Sequence, residues 1–248
     1  FFICEDLWSS DLTKKEKKQT DLIFALNASP FEINKFKKRI SISKKNAIHF
    51  DSSLIYLNLV GSQDDIVFDG GSFFMNQYGE ILDCASFFEE DELLIDTKEK
   101  KNKKIILLDK NEHLYNALMT SLNDYCKKNN FSTALIGISG GIDSALTASI
   151  AADVLGSKNI KSIFLPSIYT SKESRIDAQN LCQNLNINLE EISIEASRKL
   201  ILGELSFLFK NFKKDITEEN IQSRIRGLLL MALSNKFNSL LLTTGNKS

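Results

Sequence analysis

Surplus charge is nearly absent from this chain: Lys and Arg number 31 against 32 Asp and Glu, for a formal net charge of -1. Such balance leaves no electrostatic footprint for nucleic acid or for an anionic membrane surface. Long apolar runs are missing too. The stretch from Leu228 to Leu233 falls far short of the roughly 20 residues that span a bilayer. No basic segment precedes an apolar one at the start, where Phe1-Phe2-Ile3 runs straight into Cys4, Glu5 and Asp6, so no signal peptide is visible. The four cysteines (Cys4, Cys84, Cys126, Cys182) form no CxxC pair. That excludes the usual zinc spacing and a disulfide framework, and it suits a reducing, cytoplasmic setting. His49 and His113 match no ligand or nucleophile spacing, and proline occurs only at Pro30 and Pro166. Phe1 sits in apparent mid-strand and Ser248 closely follows another strand. Both ends therefore read as cuts, and the chain is expected to be an internal piece of a longer protein.

What is present divides into two textures. The first runs from Phe1 to about Thr97 and is rich in strand-like runs with turn signals. Leu54 to Val60, Ile66 to Phe68 before Asp69-Gly70-Gly71, Ser72 to Met75, and Ile81-Leu82 after Tyr78-Gly79-Glu80 are examples. The charged run Lys98 to Lys104 reads as a solvated linker. Beyond Asn111, helix and strand alternate. Helices are predicted over Glu112 to Lys128, Ser144 to Leu155 and Lys172 to Leu185, with more helix through Lys236. Strands are predicted over Thr133 to Ile138, Ile160 to Leu165, Leu189 to Ile194 and Leu240 to Thr243. Alternation of this kind implies βαβ units and a parallel sheet covered by helices.

The most informative segment is Leu135-Ile136-Gly137-Ile138-Ser139-Gly140-Gly141-Ile142-Asp143-Ser144-Ala145. It leads from a buried strand into a helix. Gly140 and Gly141 can take positive φ and leave no Cβ in the way of a ligand. Their N–H groups can converge on an anion beside the helix N-terminus. Ser139 and Ser144 add hydroxyls, and Asp143 offers a carboxylate for Mg²⁺ held against phosphates. GK[ST] is absent, so this is not a Walker A loop. The string resembles the SGGxDS loop of the ATP pyrophosphatase family, whose members make adenylates. The resemblance implies ATP contacts from Gly137 through Ser144.

Within that family, further segments resemble the glutamine-dependent NAD synthetases. Leu165-Pro166-Ser167-Ile168-Tyr169-Thr170-Ser171, followed by Ser174, Asp177 and Ala178, is similar to their loop and helix beside the dinucleotide. Glu218 to Arg226, followed by Leu230 to Phe237, resembles their helix at the substrate site. It assigns Asn220 and Arg224 to deamido-NAD and leaves Arg226 open between a ligand contact and a solvated helical face. Thr243-Thr244-Gly245-Asn246-Lys247-Ser248 resembles the second ATP loop and assigns Thr244 to ATP. The family has an acidic residue next, where this chain ends.

The front half agrees. Ile3-Cys4-Glu5-Asp6-Leu7-Trp8 resembles the nucleophile turn of a nitrilase-type amidase, the glutaminase module of these synthetases. Asn27-Ala28-Ser29-Pro30-Phe31, with Lys35 and Arg39, matches the next family segment, and the resemblance assigns Ser29 and Lys35 to glutamine. Asn58 to Asp65 and Phe68 to Ser72 match as well. Ser62 stands where the family has Gly, and Asp65 where it has Glu. Taken alone, Cys4 would read as a small buried residue; its neighbours make it the expected nucleophile. The Glu base and Lys of a nitrilase site would lie upstream.

The expected fold is α/β. The C-terminal part of a nitrilase-like α-β-β-α sandwich covers 1–100. A parallel-sheet, Rossmann-like domain of adenine nucleotide α-hydrolase type covers 101–248 and is truncated at its C-terminus. The resemblance implies ATP and Mg²⁺, with deamido-NAD and glutamine or ammonia as substrates and a homo-oligomer as the assembly. The nicotinate carboxylate would attack the α-phosphorus of ATP, releasing pyrophosphate. Ammonia, freed from glutamine by Cys4 and passed internally, would then displace AMP. Two alternatives stand beside it: another amidotransferase of the same ATP family, such as a GMP synthetase, and an inactive nucleotide-binding fragment.

Overall fold

In Leu22–Asn27 and Ser53–Asn58 every second residue turns inward: Ile23 and Ala25 from one strand, Leu54 and Tyr56 from the other. This period of two is what a sheet with a packed face requires. The computed structural model of the chain describes residues 1–9, 20–97 and 109–245. It divides into two compact units, Phe1–Tyr125 and Cys126–Ser248. The expected linker Lys98 to Lys104, and with it the boundary near residue 100, lies outside the described residues.

The sheet of the first unit holds five strands in the order β1 (Phe2–Ile3), β2 (Leu22–Asn27), β3 (Ser53–Asn58), β6 (Phe73–Met75) and β7 (Ile81–Cys84). The first three run parallel, with Ile3 opposite Leu26 and Asn27 opposite Asn58; β6 runs antiparallel to β3, and β7 antiparallel to β6. Between β3 and β6 the chain makes an antiparallel ribbon of β4 (Val60–Gln63) and β5 (Ile66–Asp69). Helix α1 (Lys35–Phe50) covers the packed face with Phe36 and Ala47, which join Leu7, Leu54, Tyr56, Phe73 and Met75 in the core. Burying one such leucine completely is worth about 1.5–3 kcal/mol. The strand runs predicted for this half are present, but α1 is not evident from the sequence. Its inward positions are Phe36, Arg39, Ser43, Asn46 and Ala47. The spacing is helical, yet three of the five are polar, so the apolar stripe that announces a helix is broken. Helix α2 (Lys110–Lys128) starts in this unit, where His113 packs among Phe31, Phe87 and Phe88. Further along, Asp124 accepts the Ser62 N–H at 2.7 Å.

The second unit is a four-stranded parallel sheet in the order β10 (Leu189–Glu191), β9 (Ile160–Phe164), β8 (Ala134–Ile138) and β11 (Leu240–Leu242). Helices α3 (Ile142–Leu155), α4 (Lys172–Asn184), α5 (Glu195–Phe209) and α6 (Ile216–Phe237) connect the strands. The fold class is therefore α/β, as expected. Ala134, Leu135 and Ile136 are buried in succession, as in a strand covered on both faces. Leu135, Ile163, Leu165, Ile194 and Ile225 form the core. The helices and strands lie within a few residues of their predicted limits.

Candidate functional site

From β8 the chain steps outward to β9 and β10, then returns on the other side of β8 to form β11. The order of the strands thus reverses between β8 and β11, and ligands of open α/β sheets bind outside the carboxyl ends of strands at such a point. Leu242 is paired with Ile136, so the residues after β11 emerge beside those after β8. Thr243 and Thr244 are exposed there, and the expected loop residues Asn246, Lys247 and Ser248 lie outside the described residues.

The glycine loop after β8 has the geometry its sequence requires. Gly140 has φ +82°, and a Cβ on it would lie 2.4 Å from the Ser174 carbonyl oxygen in the first turn of α4. Glycine is demanded twice there, by the backbone angle and by the close approach. Gly141 caps α3 in an extended conformation. The two serines brace the turn: Ser139 Oγ accepts the Gly141 N–H at 3.2 Å and lies 3.1 Å from Ser144 Oγ. Ser144 Oγ in turn donates to the Gly141 carbonyl at 2.9 Å. Ser144 is buried, so its part is to hold the loop, whereas Gly141, Ile142 and Asp143 are exposed at the positive end of α3. Ser171 caps α4 by accepting the Ser174 N–H, so a second helix N-terminus stands against Gly140.

A cleft of about 510 Å³ lies between the loop after β9 and the start of α6, lined by Ser167, Tyr169, Thr170, Glu218, Gln222 and Arg226 among others. Arg226 is half-buried, and its Nε donates to the Leu165 carbonyl at 3.0 Å. Burial lowers its pKa. The alternative left open for Arg226 is thus resolved against a solvated face. Asn220 and Arg224 are exposed on α6 and are not among the residues lining that cleft. Their face of the helix also carries Leu228 and Met231, both at least half exposed.

In the first unit the ends of three parallel strands meet. Cys4 follows β1 and begins a 3-10 turn, Cys4–Leu7, with φ +49°. A non-glycine residue in the left-handed region costs of order 1–3 kcal/mol and is kept where the surroundings enforce it. Trp8 closes the turn, and the Lys35 ammonium lies 5.7 Å from its ring centroid. Lys35 also pairs with Glu32 at 3.0 Å; that hydrogen bond is the main reason the Glu32 carboxyl is held below its usual range. Ser29 follows β2 and is buried.

Two groups hold these pieces, and both come from the polar stripe of α1. Asn46 Nδ2 donates to the Leu7 carbonyl at 3.1 Å and fixes the Cys4 turn. Arg39, fully buried, pairs with Asp69 at 2.7 Å and donates to Ser29. Asn58, at the end of β3, accepts the Ser29 N–H at 2.9 Å. The sequence marks Arg39, Asn58 and Asp69 only as members of matching segments and gives Asn46 no part. Buried polar residues at helical spacing opposite a strand end are the signal that would have found them. Tyr56 is buried beside Ser29 and Cys4, and burial pushes its hydroxyl pKa up. Cys126 and Cys182 are buried and Cys84 half-buried, which agrees with their reading as packed thiols.

Known proteins resemble the chain over nearly its whole length. The family model described as "NAD synthase" matches residues 114–248. A glutamine-dependent NAD(+) synthetase of Xylella fastidiosa is 40% identical over 254 residues, covering 99% of this chain and 47% of its own length. One from Thermotoga maritima is 38% identical over 288 residues, covering 99% and 50%. The solved structure of glutamine-dependent NAD+ synthetase from Acinetobacter baumannii in complex with ADP superposes with a TM-score of 0.93 at 38% identity, over 99% of this chain and 48% of that one. The chain thus spans about half the length of the curated relatives it matches. With the family model covering more than half of its residues, the chain belongs to the NAD synthase family.

Proposed function

We propose that the protein containing this chain converts deamido-NAD to NAD with ATP, drawing ammonia from glutamine. The observation that carries this reading is the pairing of two strand-end sites in one chain. One is a glycine loop at a helix N-terminus; the other is a cysteine held at positive φ among polar side chains. Carboxylates do not react with ammonia at a useful rate, because they are anionic and lack a leaving group. In the second unit the Gly137 to Ser144 loop holds the ATP phosphates, with Thr244 beside it. The nicotinate carboxylate attacks the α-phosphorus, pyrophosphate leaves, and an acyl adenylate forms. Ammonia then attacks the acyl carbon and AMP leaves. The first turn of α3, where Ile142 and Asp143 are exposed, is placed to stabilise charge on the departing pyrophosphate.

Among the described residues no three His, Cys, Asp or Glu side chains form a metal cage. A lone carboxylate at a phosphate loop suits Mg²⁺, which binds through one or two carboxylates and completes its shell with phosphate oxygens and water. Asp143 would hold it, and when bound it would neutralise phosphate charge. Arg226 and Tyr169 line the adjoining cleft for the dinucleotide.

In the first unit the Cys4 thiolate attacks the side-chain amide carbon of glutamine. Ammonia leaves, and water hydrolyses the resulting thioester to glutamate. Ser29 and Lys35 orient the substrate. This unit is read as part of a nitrilase-type module, with its base and lysine elsewhere in the protein. Asn220 and Arg224 contact deamido-NAD across a homo-oligomer, a reading supported by the exposed Leu228 and Met231 beside them. Among the described residues no helix is long and apolar enough to cross a membrane, and we place the reaction in the cytoplasm.

The test is pyrophosphate release by the full-length protein with ATP and deamido-NAD, supplied with glutamine or with ammonia. Release with both nitrogen sources is expected, and Cys4→Ala is expected to lose the glutamine reaction alone. Release that ignores deamido-NAD would end this reading. Equal loss of both reactions in folded Cys4→Ala would remove Cys4 as the glutaminase nucleophile.

A further inference from the structure

Every donor that Arg39 directs at the strand ends is committed. Nη1 donates to Asp69 Oδ1 at 2.7 Å. Nη2 donates to the carbonyls of Ser29 at 2.8 Å and Pro30 at 3.2 Å. Nε donates to Ser29 Oγ at 3.1 Å. A guanidinium can only donate. Ser29 Oγ is therefore the acceptor in that last bond, and its own proton must point elsewhere. The rest of Ser29 is pinned as well: Asn58 Oδ1 accepts its N–H, and Asn58 Nδ2 is 3.4 Å from its carbonyl oxygen. Among the described residues, the hydroxyl proton of Ser29 has only the Tyr56 hydroxyl within reach.

A second observation falls at the same spot. Tyr56, on β3, is wholly buried, and among the described residues its hydroxyl makes no well-formed hydrogen bond. It lies within hydrogen-bonding reach of the Ser29 side chain and feels Cys4 electrostatically. Buried tyrosine hydroxyls nearly always find a partner. The two hydroxyls can satisfy only one of their two protons with each other, so beside a strained cysteine a buried proton is left in need of an acceptor oxygen.

We propose that Arg39 is a positioning residue that fixes the Ser29 hydroxyl as a donor, so that Ser29 and Tyr56 together bind an acceptor oxygen of the amino-acid amide that Cys4 attacks. The proposal rests on the glutaminase reading of Cys4. Asp69 neutralises the guanidinium at 2.7 Å, so Arg39 sets hydroxyl direction and does not serve as the cation that attracts the substrate. Lysine in its place could keep the Asp69 pair but could not also reach Ser29 through a second, rigidly placed nitrogen.

The experiment is steady-state kinetics of glutamine-dependent synthesis in the full-length protein with Arg39→Lys, Ser29→Ala, their combination, and Tyr56→Phe. Loss of a hydrogen bond to the substrate in Arg39→Lys or Ser29→Ala should raise the KM for glutamine roughly 10- to 100-fold. With glutamine saturating, kcat should stay within about twofold of the parent. Because Arg39 acts through Ser29, the combined variant should be no worse than Ser29→Ala alone. Tyr56→Phe leaves the ion pair untouched and removes only an unpaired hydroxyl, so folding cannot mask its result; its KM should rise about tenfold. An unchanged KM in Tyr56→Phe, a fall in kcat at constant KM in Arg39→Lys, or multiplied effects in the combined variant would each overturn the proposal. Cys4→Ala, run in parallel, separates the two levels. Retained glutamine-dependent synthesis there sinks the glutaminase reading and this proposal with it. Its loss, with KM unchanged in the other variants, sinks this proposal alone.

Discussion

At the ends of β1, β2 and β3 the chain is held by side chains, a buried guanidinium and two asparagines. At the end of β8 it is held by backbone, a glycine that admits no Cβ and two serines that bond mainly to the turn itself. The difference follows from what each site would grip. A phosphate is a compact polyanion that convergent N–H groups can surround, so the loop needs absence of bulk. An amino-acid amide has several distinct polar groups, and each requires a side chain aimed from a fixed place. One site should therefore fail when atoms are added, and the other when atoms are removed.

The largest expected effect is a common loss. Asp143→Asn in the full-length protein should abolish synthesis with glutamine and with ammonia alike, because the glycine loop would lose the carboxylate proposed to hold Mg²⁺. Near-normal ammonia-dependent turnover would take Asp143 out of the mechanism. Next comes addition of a single methyl group. Gly140→Ala strains φ +82° and drives a Cβ onto the Ser174 carbonyl. A shift of the loop by a fraction of an ångström to an ångström should cost roughly 100-fold in ammonia-dependent kcat/KM. Parent-like rates would show that the loop relaxes freely and that the contrast between the sites is false.

Removal should act on stability in the first unit. Arg39→Met leaves the Asp69 carboxylate buried without its cation, at a cost of about 3–5 kcal/mol. Chemical denaturation should show this loss, and Asp69→Leu added to Arg39→Met should recover much of it. A single variant as stable as the parent would mean that the pair is dispensable. The smallest effect concerns Cys84. Burial, aided by Asp83 and Asp91, pushes its thiol from 9.0 up to about 11. The folded state thus holds the proton longer than the unfolded chain does. Stability contributed by this group is intact below about pH 9 and is lost as pH rises toward 11. Cys84→Ala should flatten that alkaline decline in a pH series of denaturation curves. At pH 8 the thiolate is on the order of one molecule in a thousand, so iodoacetamide should label Cys84 in the folded protein far more slowly than in urea.

The second unit was far more legible in the sequence than the first, for a physical reason. Strands β8 and β11 are continuous apolar runs and its loop is written in glycine and serine, residue types whose backbone consequences can be read directly. Ser139, Gly140 and Ser144 do what their identities imply. Helix α1 shows why the rest was hidden. Its buried face includes Arg39, Ser43 and Asn46, and hydrophobic periodicity has no means of marking a polar group as internal. Partners such as Asp69, thirty residues on, become visible only when the chain is folded. The outward placement of Asn220 and Arg224 on α6 was likewise unreadable, since polar residues on either face of a helix look the same in one dimension.

That same polar stripe bears on the order in which the first unit assembles. A helix whose inner face offers Phe36 and Ala47 but also Arg39, Ser43 and Asn46 gains little from nonspecific collapse. Its hydrogen bonds exist only when the Leu7 and Ser29 carbonyls and the Asp69 carboxylate are already in register. Docking of α1 should therefore come late, with φ-values near zero at Arg39 and Asn46. A sheet that pairs out of register presents none of those acceptors, so α1 rejects it, and chains that reach the end of folding do so with Cys4 and Ser29 already in place.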